Sequence, residues 1–233
     1  MVAELGTVMT RPFLDLVSSD EVEGLFALGT ERRYASRATL FHQGEPTQHV
    51  ALLLAGWAKV SVQSRRGDEV LLAIRGPDDI LGELSAIDDR PRSATVTALV
   101  PVRARIIPEQ QFLRHLQDFP GVMFAMLQHV TARLRESDAE RLRYVSTSGS
   151  GRIISLLLDL AERQGRRAPD GVVIDLPLTQ QELAKAAATS REVAARTLRM
   201  LRERGLVRTS RQRIVLVQVT VLRSLASSVS HDA

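Results

Sequence analysis

Residues 189–207, TSREVAARTLRMLRERGLV, carry charged side chains at the spacing of one helix face. With Ala194, Leu198 and Leu201 turned to a core, the outward residues are Arg191, Glu192, Ala195, Arg196, Arg199 and Arg202. An arginine fork matches O6 and N7 of guanine in the major groove, and a carboxylate can accept from N4 of cytosine. The same helix could instead be solvated surface, with Glu192 as the N3 partner of a Thr189 cap.

A second helix is predicted just before this stretch. Thr179 followed three residues later by Glu182 is a capping box, Thr189 or Ser190 can cap the following helix, and Gly205 is typical of the position after a helix end. Two short helices joined by a tight turn form a helix-turn-helix. The next residues, LVRTSRQRIVLVQV, predict two strands with a basic turn, a wing. Hydroxyl and amide side chains at helix starts suit phosphate contacts, here Thr179, Gln181 and Ser190.

The charge of the chain is divided unevenly, although its net value is only +4. Residues 1–145 hold 17 basic and 19 acidic side chains, whereas residues 146–233 hold 14 and 8. The second part is therefore at +6 and the first at −2. This favours a polyanion-binding module beside a module with another task, although a merely soluble basic surface would give the same count.

Composition excludes several kinds of chemistry. The 233 residues include no cysteine, which rules out disulfides, thiolate catalysis, iron–sulfur clusters and cysteine zinc sites. No apolar run approaches the roughly 20 residues of a membrane span, and the first residues lack the pattern of a signal peptide, so we expect a cytoplasmic protein without membrane contact. The histidines show no ligand spacing, so neither haem nor another metal is expected. They also argue against an enzyme built on a small metal-binding β-barrel, and no enzymatic activity is predicted.

The remaining elements must position these side chains. Between residues 34 and 107, short apolar runs broken by glycine predict many strands, with a hairpin at SRRGDEVLLAI and two strands around Pro101. From Glu109 to about Val145 the apolar spacing is helical, and Pro120 separates a short helix from one of about 25 residues, nearly 40 Å long. Such a helix either packs against a twin in a dimer, which we favour, or lies across its own domain.

These patterns predict an α+β protein. The predicted divisions are an effector domain at 1–119, a long dimerisation helix at 120–145, a hinge at 146–151, a winged helix-turn-helix at 152–226 and a frayed tail at 227–233. The hinge rests on the small polar residues of VSTSGSG.

The segments LTQQELA and SREVAAR resemble the helix-turn-helix of the cyclic-AMP receptor protein–FNR (CRP/FNR) superfamily of bacterial transcription regulators. The resemblance covers almost the whole chain, in the order β-roll (jelly-roll-like), long helix, hinge and winged helix. It implies that Arg191, Glu192 and Arg196 read a half-site similar to TGTGA and its inverted copy. Ala188 departs from the family, in which the inter-helix turn often has glycine. An alanine in a left-handed conformation there costs about 1 kcal/mol.

Residues 81–99, LGELSAIDDRPRSATVTAL, look like the phosphate-binding cassette of cyclic-nucleotide domains. The resemblance implies an effector site, and its predicted residues here are Gly82, Glu83, Leu84, Arg92 and Ser93. An arginine with the amide and hydroxyl of a serine can satisfy a cyclic phosphate, and a glutamate can accept from a ribose 2′-hydroxyl. Alternatively, Arg92 and Glu83 pair with each other in a vestigial pocket.

The base end of the effector is predicted on the long helix. Alignment through SGRIISLLLDLAE places Ser137 and Asp138 where cyclic-AMP binders of the family have residues that face the adenine. Ser137 matches, whereas Asp138 departs by adding a charge. Both could also form an ordinary polar seam between paired helices.

The resemblance therefore implies a homodimeric regulator that binds palindromic double-stranded DNA, contacts RNA polymerase and responds to a cyclic nucleotide, with cyclic AMP as the first candidate. The alternative within the family is a regulator that needs no ligand or senses a different small molecule.

Overall fold

The computed structural model describes residues 11–63, 67, 69–210 and 213–228, except for the side chains of Arg143 and Gln164. The first ten residues, most of the hairpin turn predicted at 64–68, residues 211–212 of the predicted basic turn and the tail from residue 229 lie outside the described residues. The chain divides into two compact units, Met9–Arg135 and Glu136–Ala233.

The first unit contains two four-stranded antiparallel sheets. Its strands are β1 (Thr30–Tyr34), β2 (Thr39–Phe41), β3 (His49–Ala55), β4 (Ala58–Gln63), β5 (Glu69–Arg75), β6 (Ile80–Leu81), β7 (Thr95–Ala98) and β8 (Val102–Pro108). The sheet orders are β1-β8-β3-β6 and β2-β7-β4-β5. The predicted strands on either side of Pro101 are thus confirmed as β7 and β8.

Strand β3 is buried on both faces and separates two cores. Because successive strand residues point to opposite faces, Val50 and Leu52 join one apolar cluster with helical residues such as Phe112. Ala51 and Leu53 join a second cluster, which is built between the sheets. The roll is therefore a closed scaffold from which short loops can present a site.

The helices of this unit are a 3-10 turn (Phe13–Leu16), α1 (Ser19–Ala27), α2 (Glu83–Asp88) and α3 (Glu109–Asp118). The long α4 (Pro120–Ser146) begins in this unit, and its residues from Glu136 onward belong to the second. Pro120 begins α4 as predicted, since its fixed φ suits the first helical turn. The 27 residues of α4 span about 40 Å. One face of its first turns is buried through Val122, Ala125 and Met126, whereas Leu127 and Leu134 are each 61% exposed.

The second unit contains the expected helix-turn-helix and wing. Its elements are α5 (Gly149–Gln164), β9 (Arg166–Ala168), β10 (Gly171–Ile174), α6 (Gln180–Ala186), α7 (Arg191–Glu203), β11 (Val207–Ser210), β12 (Arg213–Leu216) and α8 (Val219–Ser228). The four strands form one sheet in the order β11-β12-β10-β9. Gly205 follows α7 with a φ of 67°, which confirms its predicted role after the helix end.

The connection between α4 and α5 is shorter than the predicted hinge. Only Thr147 and Ser148 lie outside the two helices. The side chain of Ser148 accepts from the amide of Gly151 and so caps α5 three residues earlier than composition indicated. A side chain at Gly149 would clash with Thr189, so this glycine permits close packing rather than a flexible linker.

Helix α8 was not predicted: its residues were assigned to the end of the winged helix-turn-helix and to the tail from residue 227. Its β-branched residues Val219, Thr220 and Val221 favour a strand in isolation. Burial of Leu222 and an ion pair between Arg223 and Glu162 of α5 at 2.5 Å instead hold it as a helix. Residues 227 and 228, predicted to be frayed, belong to this helix.

The turn between α6 and α7 contains a left-handed residue, Ala188, where the sequence has alanine instead of glycine. Ala188 has a φ of 46°, whereas its neighbour Ala187 has a φ of −89° and is buried. Left-handed backbone strains any residue with a Cβ, and glycine adopts it freely.

We expect Ala188→Gly to stabilise the chain by about 1 kcal/mol, because it removes this strain without loss of a buried contact. Ala187→Gly is the matched control and should destabilise the protein, since it loses a buried methyl group and gains unfolded-state freedom where no strain exists. Thermal unfolding of the intact chain measures both. Equal loss of stability in the two variants would contradict the assignment of strain to Ala188.

Candidate functional site

A cavity of about 360 Å³, counted with its solvent-open part, lies within the first unit. Its apolar wall includes Phe41, Val60 and Val96. Of the seven predicted effector residues, five line it: Gly82, Glu83, Leu84, Arg92 and Ser93. The structure also adds Arg133 of α4 to the lining, a residue that the sequence analysis missed.

Arg92 is buried, at 4% exposure, and its guanidinium meets backbone oxygens rather than a carboxylate. It donates to the carbonyl of Gly82 at 2.9 Å and to that of His49, and it lies 4.2 Å from the centre of the Phe41 ring. No acidic side chain in the described part of the chain forms an ion pair with it. Burial lowers the pKa of Arg92, and the carboxylates of Glu109, Glu83 and Glu45 oppose this effect. A buried cation without an ion-paired partner favours the binding of an anion beside it.

His49 lies behind this guanidinium. Its ring is 5.1 Å from that of Phe41, and its carbonyl is one of the two that hold Arg92. Burial lowers the pKa of His49, the positive charges of Arg92 and Arg32 lower it further, and only Glu45 raises it. The imidazole therefore favours its neutral form and adds no second charge beside Arg92.

Glu83 is 2% exposed and forms a short ion pair with Arg133, not with Arg92. The alternative of a collapsed Arg92–Glu83 pair is therefore wrong. Together Arg92, Arg133 and Glu83 give the cavity lining a charge of +1. This balance matches a monoanion.

Gly82 explains how the cassette brings these groups together. Its φ is 82°, and α2 begins at the next residue. A Cβ on Gly82 would overlap the guanidinium of Arg92. Glycine is thus needed both for the backbone turn and for the approach of Arg92, which bonds the carbonyl of the same residue. Leu84 and Ser93 are exposed residues of the lining.

The two residues predicted to face a base do not line this cavity. Ser137 is half-buried on α4, and Asp138 is exposed and pairs with Arg141 at 3.5 Å. Both belong to the unit that begins at Glu136. Their assignment to the effector site stays a prediction.

The second candidate site is the exposed face of α7. Arg191, Glu192 and Arg196 are exposed, as are Arg199 and Arg202, while Ala195 is half-buried. The opposite face, which includes Ala194, Leu198 and Leu201, is buried as predicted. The helix therefore presents a basic surface with one carboxylate.

The structure resolves which residue caps α7. The side chain of Ser190 accepts from the amide of Val193 at 3.2 Å, so Ser190 is the N-cap and Glu192 is not the N3 partner of Thr189. The pKa of Glu192 is lowered by a hydrogen bond from its own amide and by one from Ser190. Glu192 is therefore an exposed, ionised carboxylate close to the helix start.

The capping box of α6 is confirmed. The amide and hydroxyl of Thr179 both donate to the carboxylate of Glu182 at 2.9 Å, and the amide of Glu182 returns a bond to that hydroxyl at 3.1 Å. Thr179 thus fixes the start of α6, and Gln181 on its first turn is exposed. The phosphate contacts of Thr179, Gln181 and Ser190 stay predictions.

Arg133 could have been found from helical spacing. It lies four residues before Ser137, and residues four apart share a helix face.

Within the described ranges no group of three or more histidine, aspartate or glutamate side chains is placed to hold a metal ion. None of the helices described here is long and apolar enough to cross a membrane.

Two family models match the chain: a cyclic nucleotide-binding domain at residues 31–119 and a Crp-like helix-turn-helix domain at residues 151–225. A CRP-like cAMP-activated global transcriptional regulator of Mycobacterium tuberculosis is 31% identical over 170 residues, covering 73% of this chain and 76% of that protein. A global nitrogen regulator of Synechocystis is 29% identical over 180 residues, covering 76% and 80%. The structure of FixK2 from Bradyrhizobium japonicum has the same fold, with a TM-score of 0.76 at 18% identity, covering 85% and 97%.

Arg133→Met should destabilise the protein by about 3–5 kcal/mol, because it leaves the buried Glu83 carboxylate without a partner. Adding Glu83→Gln should restore most of that loss, since it removes the unpaired charge. Urea unfolding of the two variants provides the comparison. Arg135→Met, an exposed change on the same helix, serves as control and should lie within about 0.5 kcal/mol of the parent. If the double variant is no more stable than Arg133→Met, the unpaired Glu83 carboxylate is not the cause of the lost stability.

Proposed function

Since the chain belongs to the CRP/FNR family of transcription regulators, with a cyclic nucleotide-binding domain and a Crp-like helix-turn-helix domain, we propose that a cyclic nucleotide, cyclic AMP first, controls its binding to a palindromic DNA site. The observation that carries the proposal is the buried guanidinium of Arg92, which has backbone carbonyls but no carboxylate around it. The phosphate of a cyclic nucleotide is a compact monoanion and would complete this environment.

Glu83 is the residue proposed to bind the ribose of the effector. Its carboxylate is buried at the cavity wall and forms an ion pair with Arg133. In that state it can only accept hydrogen bonds. A ribose 2′-hydroxyl would be its donor, so a deoxyribose would leave the buried acceptor with one partner fewer. The cavity should therefore prefer ribonucleotides.

The base end of the effector has a different environment. Asp138 pairs with Arg141 rather than standing free for an exocyclic amine. The relatives also differ, because one is named cAMP-activated and another a nitrogen regulator. A member that answers to another small molecule, or to none, is the second candidate, and Asp138 is the observation that favours it.

The long helix supports a homodimer. Along α4, Met123, Leu127 and Leu134 are exposed apolar side chains, and with the partly buried Val130 they follow the alternating spacing of four and three residues. This spacing is typical of the seam between two paired helices. A second copy of α4 would cover the seam, which otherwise leaves large apolar side chains in water.

A dimer also fits the proposed DNA site. Two recognition helices in one dimer enter successive major grooves about 34 Å apart, which makes the target palindromic. We propose that Arg191, Glu192 and Arg196 of α7 contact bases of a half-site similar to TGTGA. Thr179, Gln181 and Ser190 at the helix starts would bind phosphates and fix the register. Contact with RNA polymerase is also proposed, from the family alone.

Calorimetric titration with cyclic AMP tests the effector. Wild-type protein should bind it, and Arg92→Ala should bind at least about a hundredfold more weakly, because it removes a charge-assisted contact to the phosphate. Arg90→Ala is the control, since Arg90 is an exposed neighbour that pairs only loosely with Asp88 at 3.8 Å. No binding heat from the wild-type protein would overturn cyclic AMP as the effector and favour the second candidate.

Fluorescence anisotropy on a TGTGA palindrome and its single-base variants tests the base readers. Arg191→Ala or Glu192→Ala should cost about 1–3 kcal/mol and relax the preference at one base pair. Arg204→Ala, an exposed change at the far end of α7, should leave the sequence preference unchanged. Even weakening across all sequences in the first two variants would show that these residues contact phosphates instead of bases.

A further inference from the structure

Arg152 on α5 donates to four backbone carbonyls in the second unit. Its Nε donates to the carbonyl of Ala187 and its Nη2 to that of Ala188, both at 2.9 Å. Its Nη1 donates to the carbonyl of Thr147 at 2.5 Å and to that of Tyr144 at 3.3 Å. The guanidinium also lies 5.0 Å from the centre of the Tyr144 ring.

These carbonyls belong to the ends of two different helices. Helix α4 ends at Ser146 and α6 at Ala186, so the four oxygens lie in or just beyond terminal turns. Such carbonyls have no partner within their own helix. A cation is also favoured at a helix C-terminus by the aligned peptide dipoles. One guanidinium therefore caps two helices at once.

The position of Arg152 within its own helix is unfavourable by itself. It is the fourth residue of α5, close to the positive end of that helix, and no acidic residue lies in the first turn. A cation there is opposed by the helix dipole. A residue that breaks a local rule is expected to be compensated by its tertiary contacts, here the four carbonyls.

The turn that Arg152 holds determines where α7 points. It contains the strained Ala188, and α7 begins three residues later at Arg191. We propose that Arg152 is a positioning residue that makes the end of α4 and the helix-turn-helix turn move as one body. A displacement of the end of α4 is then passed to the exposed face of α7. The role in regulation rests on the proposed function, whereas the mechanical link does not.

Hydrogen–deuterium exchange on the intact, effector-free protein tests the link directly. Arg152→Met should raise amide exchange about tenfold or more in peptides covering residues 144–148 and 186–190 together, because both helix ends lose charge-assisted bonds. Arg152→Lys should raise it less, since an ammonium keeps the charge but cannot span four carbonyls. Arg163→Met is the control: Arg163 pairs with Glu136 at the other end of α5, and its loss should leave residues 186–190 unchanged.

An increase confined to one of the two segments, or an equal increase at 186–190 in Arg163→Met, would overturn the link.

DNA affinity with and without cyclic AMP then measures whether effector binding is transmitted to α7 through Arg152. In Arg152→Met the ratio of the two dissociation constants should shrink at least about fivefold relative to wild type. An unchanged ratio would overturn transmission through Arg152. If wild-type DNA binding ignores cyclic AMP, the proposed effector fails, and the exchange result alone decides the role of Arg152.

Discussion

The burial of the Arg92 charge without an ion-paired carboxylate organises the candidate cavity. A buried guanidinium needs hydrogen-bond acceptors, and around Arg92 these are uncharged backbone carbonyls rather than a carboxylate. The cassette meets this demand with a left-handed glycine at position 82, whose carbonyl faces the guanidinium. Glu83, the adjacent acid, is directed to Arg133 instead. The same arrangement places a residue of the long helix in the wall of the cavity.

Two arginines thus hold α4 in comparable ways, one at its middle and one at its C-terminal end. Arg133 joins the cavity to the helix through an ion pair, and Arg152 joins the end of the helix to the helix-turn-helix turn through carbonyls. Each is a planar group with several donors in a fixed fork, and Arg152 uses that fork on four carbonyls, which a lysine could not span.

Local signals predicted local structure well. The capping box at Thr179, the stop at Gly205 and the break at Pro120 all depend on a few neighbouring residues, and the structure has each of them. The cassette residues also line one cavity as expected. What could not be predicted depends on partners distant in the chain. Gly149 reads as linker until Thr189 is placed against it, α8 needs α5 to be a helix, and the contacts of Arg152 exist only in the folded unit.

The +1 charge of the cavity lining selects ligands by their net charge, independently of their shape. A nucleoside carries no phosphate, so it would occupy the space and leave the guanidinium buried and unneutralised. A linear nucleotide brings two or more negative charges and would replace one imbalance with its opposite. Only a monoanion restores neutrality, and rejection of the other two classes needs no steric barrier. The shape of the cavity then has to distinguish only among monoanions.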